Sequence, residues 1–277
     1  MVEIHSESLR SGLSVLSGIL MPDASAVLLA VNGVWRVNNG KMPEHRCREM
    51  HLQPRYVARS GRSNGAVVVD SSGLIVRVPI SGRCIVAEKV ALSAAHPLLG
   101  RLGSRWAQLL IARRQAPYLL LLTSHERIVR RITTDQSIRF GDASQYSVRS
   151  DGTRLLLTEV SYPFRVFHLA ESGKLELAFE PVTHLSIEER ALARRWSSLP
   201  PVRLDDAYLQ EIADRTSDIR HFFVFDERGE LLRESSVDVP MGVLDVDGTT
   251  KRLLVLRNTG VPELVVYKWR WRTNSSE

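Results

Sequence analysis

Two histidines and a cysteine lie close together in the sequence, and these are residue types that bind zinc in proteins. His45, Cys47 and His51 fall within seven residues of one another. A structural zinc site uses four imidazole or thiolate ligands, and no neighbouring cluster in the sequence supplies the rest. We therefore predict an ordinary outer strand here, with no metal site and no bound cofactor.

A second group of residues has the types that dominate protein interfaces. Trp, Tyr and Arg are enriched among the side chains that contribute most to binding energy. We predict that loops bring this group to one rim of the fold, where it binds a protein or peptide partner. The alternative, solvated arginines above ordinary aromatic packing, stays open. The predicted binding residues are Arg113, Arg114, Tyr162, Arg194, Arg195 and Trp196.

The elements that must position these residues are short strands. Residues 145–149, 154–160, 164–169 and 174–180 are apolar or alternating runs, separated by Asp-Gly, Tyr-Pro and Ser-Gly turns. Four such runs in succession predict an antiparallel sheet. A single sheet of this kind cannot bury both of its faces, so the pattern indicates a repeat.

The same hairpin pattern recurs along the chain. Its turns end at Gly40, Gly82, Gly173 and Gly229. The interval from Gly40 to Gly82 is 42 residues, and the interval from Gly82 to Gly173 is 91 residues. A four-stranded propeller blade takes roughly 40 to 50 residues, so the longer interval holds two units.

The last interval, from Gly173 to Gly229, is longer than one blade and contains a helical pattern. Ser186 and Glu189 have the spacing of a capping box, and Ile187, Ala191 and Leu192 follow at helical intervals. We predict a short helix in residues 186–196, inserted between the fourth and fifth blades.

The final unit has three strands, so its outermost strand must come from elsewhere. Residues 1–9 precede the first complete unit and can supply it. The predicted fold is all-β, a six-bladed β-propeller forming one domain over residues 1–277. The N-terminal strand closes its ring.

Parts of the sequence resemble known propeller repeats. Ser150-Asp151-Gly152, followed by Leu-Leu-Leu and by residues 164–174, resembles the YVTN and TolB-like repeats of bacteria. Residues 205–268 are similar to NHL-like six-bladed propellers. These stretches cover about half of the chain and imply a fold on which enzymes, ligand binders and scaffolds all occur.

Propeller lyases and lactonases of similar fold carry their site on inner strands around the central channel, often with a divalent metal. The inner strands predicted here offer Arg59, Arg149, Asp245 and Asp247. Calcium and magnesium need several converging oxygen ligands, and this set has few. A small-molecule lyase or hydrolase with its site at the channel mouth therefore stays as the alternative, and we predict no catalytic residues.

Composition limits the possible partners and compartment. The net charge is +6, but 37 basic and 31 acidic residues are scattered without a Lys/Arg-rich run, so we predict neither nucleic-acid nor membrane binding. No apolar run approaches the roughly 20 residues of a membrane span. Two cysteines are too few for a disulfide framework. We expect a cytoplasmic monomer with reduced thiols that acts as a non-catalytic binding or scaffolding module.

Overall fold

The computed structural model describes most of the chain between Val2 and Lys268. It leaves out residues 10–12, 39–40, 60–64, 91–97, 103–104, 111–117, 123–127, 134–144, 151–153, 171, 205, 215, 239–240, 248–249 and 259–260. The predicted turn at Gly40 lies outside the described residues, as do Arg113 and Arg114.

The described residues form antiparallel sheets of consecutive strands, which we call sheets I to VI. Sheet I contains β2 (Val15–Leu20), β3 (Ala26–Ala30), β4 (Gly33–Val37) and β5 (Glu44–Arg46). Sheet II contains β6 (Pro54–Arg59), β7 (Gly65–Asp70), β8 (Leu74–Pro79) and β9 (Ile85–Lys89). Sheet III contains β10 (Leu98–Leu102), β11 (Arg105–Leu110), β12 (Tyr118–Leu122) and β13 (Ile128–Thr133).

The second half of the chain repeats this arrangement with two departures. Sheet IV contains β14 (Tyr146–Ser150), β15 (Leu155–Glu159), β16 (Val166–Leu169) and β17 (Leu175–Phe179). Sheet V contains β18 (Trp196–Ser198), β19 (Val202–Leu204), β20 (Ala207–Asp214), β21 (Ile219–Asp226) and β22 (Leu231–Asp238). Sheet VI contains β23 (Met241–Asp247), β24 (Arg252–Asn258), β25 (Pro262–Lys268) and the N-terminal β1 (Val2–Ser8).

The sheets pack face to face in chain order and return to the start. Among the described residues, each pair of neighbouring sheets shares a hydrophobic cluster, from sheets I and II through to sheets VI and I. The inner strand β2 lies beside both β6 and β23, which come from opposite ends of the sequence. This circular arrangement buries both faces of each sheet, as a propeller requires.

Glycines close the outer hairpins, as the repeat pattern predicts. Gly82, Gly173 and Gly229 have φ angles near +90°, in the region that favours glycine. Gly229 has a second reason to be glycine, because a Cβ atom there would overlap the carbonyl oxygen of Ala178 in sheet IV. These turns therefore set where each third strand reverses into the fourth.

Sheet V departs from the predicted four-stranded pattern. Its inner position is occupied by two short strands, β18 and β19, which pair with opposite ends of β20. Pro200 and Pro201 lie between them. Proline lacks the N–H that a sheet ladder needs, so the dipeptide interrupts the inner strand. Five sheets among the described residues thus have four strands, and sheet V has five.

The N-terminal strand completes sheet VI, as the sequence predicts. β1 pairs antiparallel with β25, from Val2 opposite Lys268 to Ser8 opposite Glu263. The Leu9 amide continues the contact by donating to the Pro262 carbonyl at 2.7 Å. Leu9 itself is buried in the cluster between sheets VI and I.

The cysteines differ from the sequence-based expectation of two reduced thiols. Cys47 and Cys84 form a disulfide, with their Cα atoms 5.3 Å apart. Cys47 follows β5 of sheet I and Cys84 precedes β9 of sheet II. The two cysteines are 37 residues apart in the sequence. Their pairing could not be predicted from the sequence, because contact between these segments depends on how the two sheets pack.

The predicted insertion contains a helix, α1, at Ile187–Ala193. Ser186 Oγ accepts from the Glu189 amide, and the Glu189 carboxylate accepts from the Ser186 amide, which confirms the capping box. Within the described parts of the chain, no helix has the length and apolar character needed to cross a membrane.

Candidate functional site

The insertion between sheets IV and V is anchored from below by apolar side chains. After β17 the chain forms a 3₁₀ turn at Pro181–His184 and then enters α1. Val182, Leu185 and Ala193 are buried in the cluster between the two sheets. Arg190 adds hydrogen bonds to the carbonyls of Leu185 and Thr183, at 3.0 and 2.8 Å. The helix therefore has a fixed position on the rim.

Trp196 belongs to this anchor and not to the predicted contact surface. Its side chain is only 4% exposed, and its ring stacks on the ring of His221 with centroids 4.3 Å apart. The helix ends at Ala193, and Trp196 is already the first residue of β18. A strand residue whose side chain points between two sheets is buried, which the helical interpretation of residues 186–196 did not anticipate.

The outward side of α1 carries exposed apolar residues beside the exposed Glu188 and Arg190. Ile187 is 86% exposed and Leu192 is 52% exposed, and Ala191 between them is also exposed. Apolar residues of a surface helix ordinarily face the core. Here only Ala193 of the helix is buried.

Arg194 and Arg195 follow the helix and are exposed. Their backbone amides donate to the Leu192 carbonyl, but neither side chain forms a hydrogen bond or an ion pair within the part of the chain that the structure describes. Two positive charges thus lie immediately after the exposed apolar residues, and they are available to a partner.

Tyr162 lies on the same rim as the helix. It is 41% exposed, in the turn between β15 and β16. The ends of β15, β16 and β17 that border this turn and the insertion are adjacent, because Thr158 pairs with Val166 and Val166 with Phe179. The Ser198 amide also donates to the Val160 carbonyl at 2.8 Å, which joins the turn to β18.

We refer to Tyr162, Ile187, Leu192, Arg194 and Arg195 as the insertion rim. Three of the six sequence-predicted binding residues, namely Tyr162, Arg194 and Arg195, belong to it. Trp196 supports it from beneath, and Arg113 and Arg114 lie outside the described residues. The two exposed apolar residues were missed as contacts, because their helical spacing is also that of a buried face.

The charged residues of the inner strands meet around β23. Arg59 of sheet II donates to Asp245 at 2.7 Å and to the Leu20 carbonyl at 2.8 Å. Arg149 of sheet IV donates to the Leu244 carbonyl at 3.0 Å. Since sheets II and IV do not neighbour sheet VI, these side chains reach across the centre of the ring, so the predicted inner-strand set does come together.

Behind this network lies a buried carboxyl group. Glu211 on β20 accepts from the Val243 amide at 2.7 Å, and burial raises its pKa to about 7, although that hydrogen bond, Arg220 and Arg149 oppose the shift. Burial also lowers the pKa of Arg149, opposed by Asp245, Tyr56 and Glu211. The central charges therefore stabilise contacts between sheets.

His45, Cys47 and His51, which have side chains of zinc-binding type, cannot bind a zinc ion together. Cys47 is in the disulfide. His45 stacks on Trp35, with ring centroids 4.7 Å apart and planes 11° from parallel. The predicted outer strand includes only His45, because β5 ends at Arg46, and Cys47 and His51 flank a 3₁₀ turn with left-handed backbone conformations.

A Gly-x-Ser-x-Gly sequence, the pattern of a nucleophile elbow, occurs at residues 61–65. Our prediction of no catalytic residues took no account of it. A nucleophile elbow joins a strand to a helix, whereas β6 and β7 on either side of this segment pair antiparallel as a hairpin. Residues 60–64 themselves lie outside the described residues.

A different set of metal-ligating side chains is brought together beneath the insertion. Glu189 of α1, His221 of β21 and Glu234 of β22 have ligand atoms within 4.8 Å of one another. The sequence analysis used Glu189 only as a helix cap and did not connect it with His221 or Glu234. Strand alternation is the signal that could have found this pair. His221 and Phe223 are two residues apart on β21, and Phe223 lies opposite Glu234 on β22. The side chains of His221 and Glu234 therefore lie on the same face of sheet V.

Local charges shift the pKa values of this cluster in different directions. Hydrogen bonds from Ser186 lower the pKa of Glu189. Burial raises the pKa of Glu234, and the neighbouring Glu189 raises it further. Burial lowers the pKa of His221, although Glu189 and Asp214 act against that shift. Burial thus favours the neutral imidazole, which is the form that binds metal ions.

The sequence has no match among protein-family models, and no curated protein matches it. Solved structures with a similar fold include a putative gluconolactonase, with a TM-score of 0.55, 9% identity, and coverage of 96% of this chain and 94% of that chain. The WD40 propeller domain of Doa1 has a TM-score of 0.55 and 8% identity, with coverage of 95% and 96%. The AfRom2 CNH domain has a TM-score of 0.52 and 11% identity, with coverage of 98% and 99%.

At these identities the likeness concerns the fold alone. The protein is an all-β propeller with one short α-helix among its described residues. The resemblance to YVTN, TolB-like or NHL-like repeats, in contrast, has no support from any family match. Short turn motifs such as Asp-Gly and Ser-Gly arise wherever antiparallel hairpins are closed, so they indicate the architecture and not the family.

Proposed function

We propose that this protein is a non-catalytic binding module, and that it captures a protein or peptide partner on the insertion rim. The observation that carries the proposal is the exposure of two large apolar side chains, Ile187 and Leu192, on a helix that is otherwise firmly held. Solvent-exposed apolar patches on a rigid support are typical of interaction sites.

The support comes from the propeller beneath. In this proposal the six sheets act as the six blades of one ring, forming a single domain that is monomeric apart from its partner. Their strands are committed to packing, so binding falls to the loops. The capping box, the Arg190 hydrogen bonds and the buried Trp196 fix the helix, so its exposed face is not the result of a loosely attached segment.

The chemistry of the rim defines the partner. Ile187, Leu192 and Tyr162 offer apolar and aromatic contact, and Arg194 and Arg195 offer two positive charges. Arginine pairs well with carboxylates, and buried Tyr and Arg contribute strongly to binding energy. The partner segment therefore presents apolar side chains flanked by Asp or Glu.

The enzymatic alternative, a lyase or hydrolase at the channel mouth, has less support. A putative gluconolactonase shares the fold, but so do propellers with other names. The inner-strand charges Arg59, Arg149 and Asp245 are engaged with one another or with backbone groups. The described inner strands, β2, β6, β10, β14, β18, β19 and β23, carry no histidine, the commonest general base, and their carboxylates are Asp245 and Asp247.

The proposal is tested by selecting peptides that bind the purified protein from a random peptide library. We expect enriched sequences to combine apolar and acidic residues. Replacing both arginines of the rim by glutamate, R194E with R195E, should weaken binding at least tenfold, because attraction becomes repulsion. The variant I187A with L192A should weaken it similarly by removing apolar contact area, as measured by calorimetry or fluorescence anisotropy.

Control variants come from other parts of the surface. Arg228 is exposed in the turn between β21 and β22, and Leu177 is exposed on β17. R228E and L177A match the charge reversal and the apolar truncation, and they should leave binding unchanged. Enriched peptides that bind both rim variants as tightly as the wild type would exclude the insertion rim as the binding surface.

A further inference from the structure

We propose that Glu189, His221 and Glu234 form a binding site for a divalent transition metal ion, Zn²⁺ in the first place, which ties the insertion to sheet V. The site is separate from the surface of the insertion rim, and its test does not depend on the proposed function.

The three residues come from three different elements. Glu189 is in the first turn of α1, and His221 and Glu234 are on neighbouring strands of sheet V. Their ligand atoms lie within 4.8 Å of one another. Ligands of a tetrahedral zinc ion are about 3.4 Å apart at ordinary bond lengths. Glu234 is exposed, so its side chain has room to rotate toward the other two ligands.

The second observation concerns how His221 is held. Its Nδ1 atom lies 2.9 Å from Ser236 Oγ, directly across the ladder, and Trp196 stacks on the face of its ring. A histidine that binds metal through one ring nitrogen characteristically donates from the other to a neighbouring acceptor. Donation from Nδ1 to Ser236 leaves the Nε2 lone pair for the ion.

The two carboxylates also have oxygen atoms available. Glu189 uses Oε2 to accept from the Ser186 amide at 2.8 Å, and this bond fixes the carboxylate while Oε1 is left over. Glu234 makes no hydrogen bond or ion pair to any residue that the structure describes. Two carboxylates so close together repel each other, and a bound cation would remove that repulsion.

The ligand types select the metal. One imidazole with two carboxylates suits zinc and its transition-metal neighbours, whereas calcium and magnesium prefer oxygen ligands alone. Three protein ligands leave a fourth position for water on the exposed side of Glu234. The ion would therefore cross-link α1, β21 and β22 while it remains accessible to solvent.

The test uses the full-length protein without a histidine tag, stripped of metal by a chelator. We expect one Zn²⁺ to bind per molecule in a competition assay with a chromophoric chelator, and the melting temperature to rise as zinc is added. Mg²⁺ and Ca²⁺ at the same concentration should give neither effect, because they do not favour imidazole.

Two variants and a matched control localise the ion. E234Q removes an exposed ligand, and E189Q removes a charge while keeping a side chain that can cap the helix; each should weaken zinc affinity at least tenfold. E188Q changes the neighbouring exposed glutamate of the same helix and should bind zinc like the wild type. Absence of stoichiometric zinc binding, or an equal affinity in E234Q with a native circular dichroism spectrum, would overturn the proposal.

Discussion

At the scale of single residues, the sequence identified the charged groups of the ring but not their arrangement. Arg59, Arg149, Asp245 and Asp247 were recognised as inner-strand residues, and the structure brings Arg59 and Arg149 to β23. Glu211 and Glu234 were missed. Their importance comes from burial and from neighbours distant in sequence, which strand alternation alone does not specify.

Glu211 gives a prediction for the pH dependence of stability. Its pKa rises from an ordinary value of 4.5 in the unfolded chain to about 7 in the native protein. Between these values the native state holds more protons than the unfolded state, so the free energy of unfolding falls as pH rises. The contribution of this one group amounts to about 3 kcal/mol, and it is lost by about pH 7.

The variant E211Q isolates this effect, because Gln keeps an acceptor for the Val243 amide and does not titrate. Urea unfolding of wild type and variant from pH 4.5 to pH 8 should show that the wild type loses stability relative to the variant as pH rises. Parallel stability curves for the two proteins would contradict the assigned pKa.

At the scale of elements, hairpins and the helix were predictable because their signals are local. The turn glycines Gly82, Gly173 and Gly229 and the capping box at Ser186 all lie within a few residues of the element that they control. The outward orientation of Ile187 and Leu192 was not predictable, since it depends on the sheet edge below. The split inner strand of sheet V has a local cause in Pro200 and Pro201, which the sequence analysis used only as a boundary.

The disulfide between sheets I and II is an element-scale feature with a measurable contribution. A cross-link that spans 37 residues restricts the unfolded chain and adds about 4 kcal/mol to the free energy of unfolding in the chain-entropy account. The double variant C47S with C84S should therefore have a clearly lower urea midpoint than the oxidised wild type.

Reduction of the wild type supplies the control, since it should lower the midpoint to about the value of the double variant and leave that variant itself unchanged. If reductant destabilises both proteins equally, the disulfide is not the cause.

Disulfides persist in oxidising compartments, so quantifying free thiols in protein isolated from its native cells would also test the prediction of a cytoplasmic location.

At the scale of the whole molecule, periodicity predicted the propeller, because a repeated sheet must bury both faces against its neighbours. The same reasoning predicted that residues 1–9 complete the last sheet, and β1 pairs with β25 as expected. What periodicity leaves open is which side chains meet across the ring, since those contacts join sheets that are not neighbours.

Removal of β1 should destabilise the entire molecule. Deleting residues 2–8 exposes the edge of β25, and unpaired edges favour aggregation. We expect a markedly lower melting temperature and more light scattering on heating. A synthetic peptide of residues 1–9 should partly restore the melting temperature, whereas the same residues in scrambled order should not. A deletion variant as stable as the parent would refute the closing role of β1.

The pairing of β1 with β25 also governs when the molecule can finish folding. Residues 2–8 leave the ribosome long before residues 262–268 are synthesised, so β1 has to wait while the intervening sheets form. Contacts between such distant segments form slowly, because the loop that joins them carries a large entropic penalty. During translation the nascent chain therefore has two unpaired ends of the ring, and we expect it to become resistant to proteases only when β25 has been synthesised and has paired with β1.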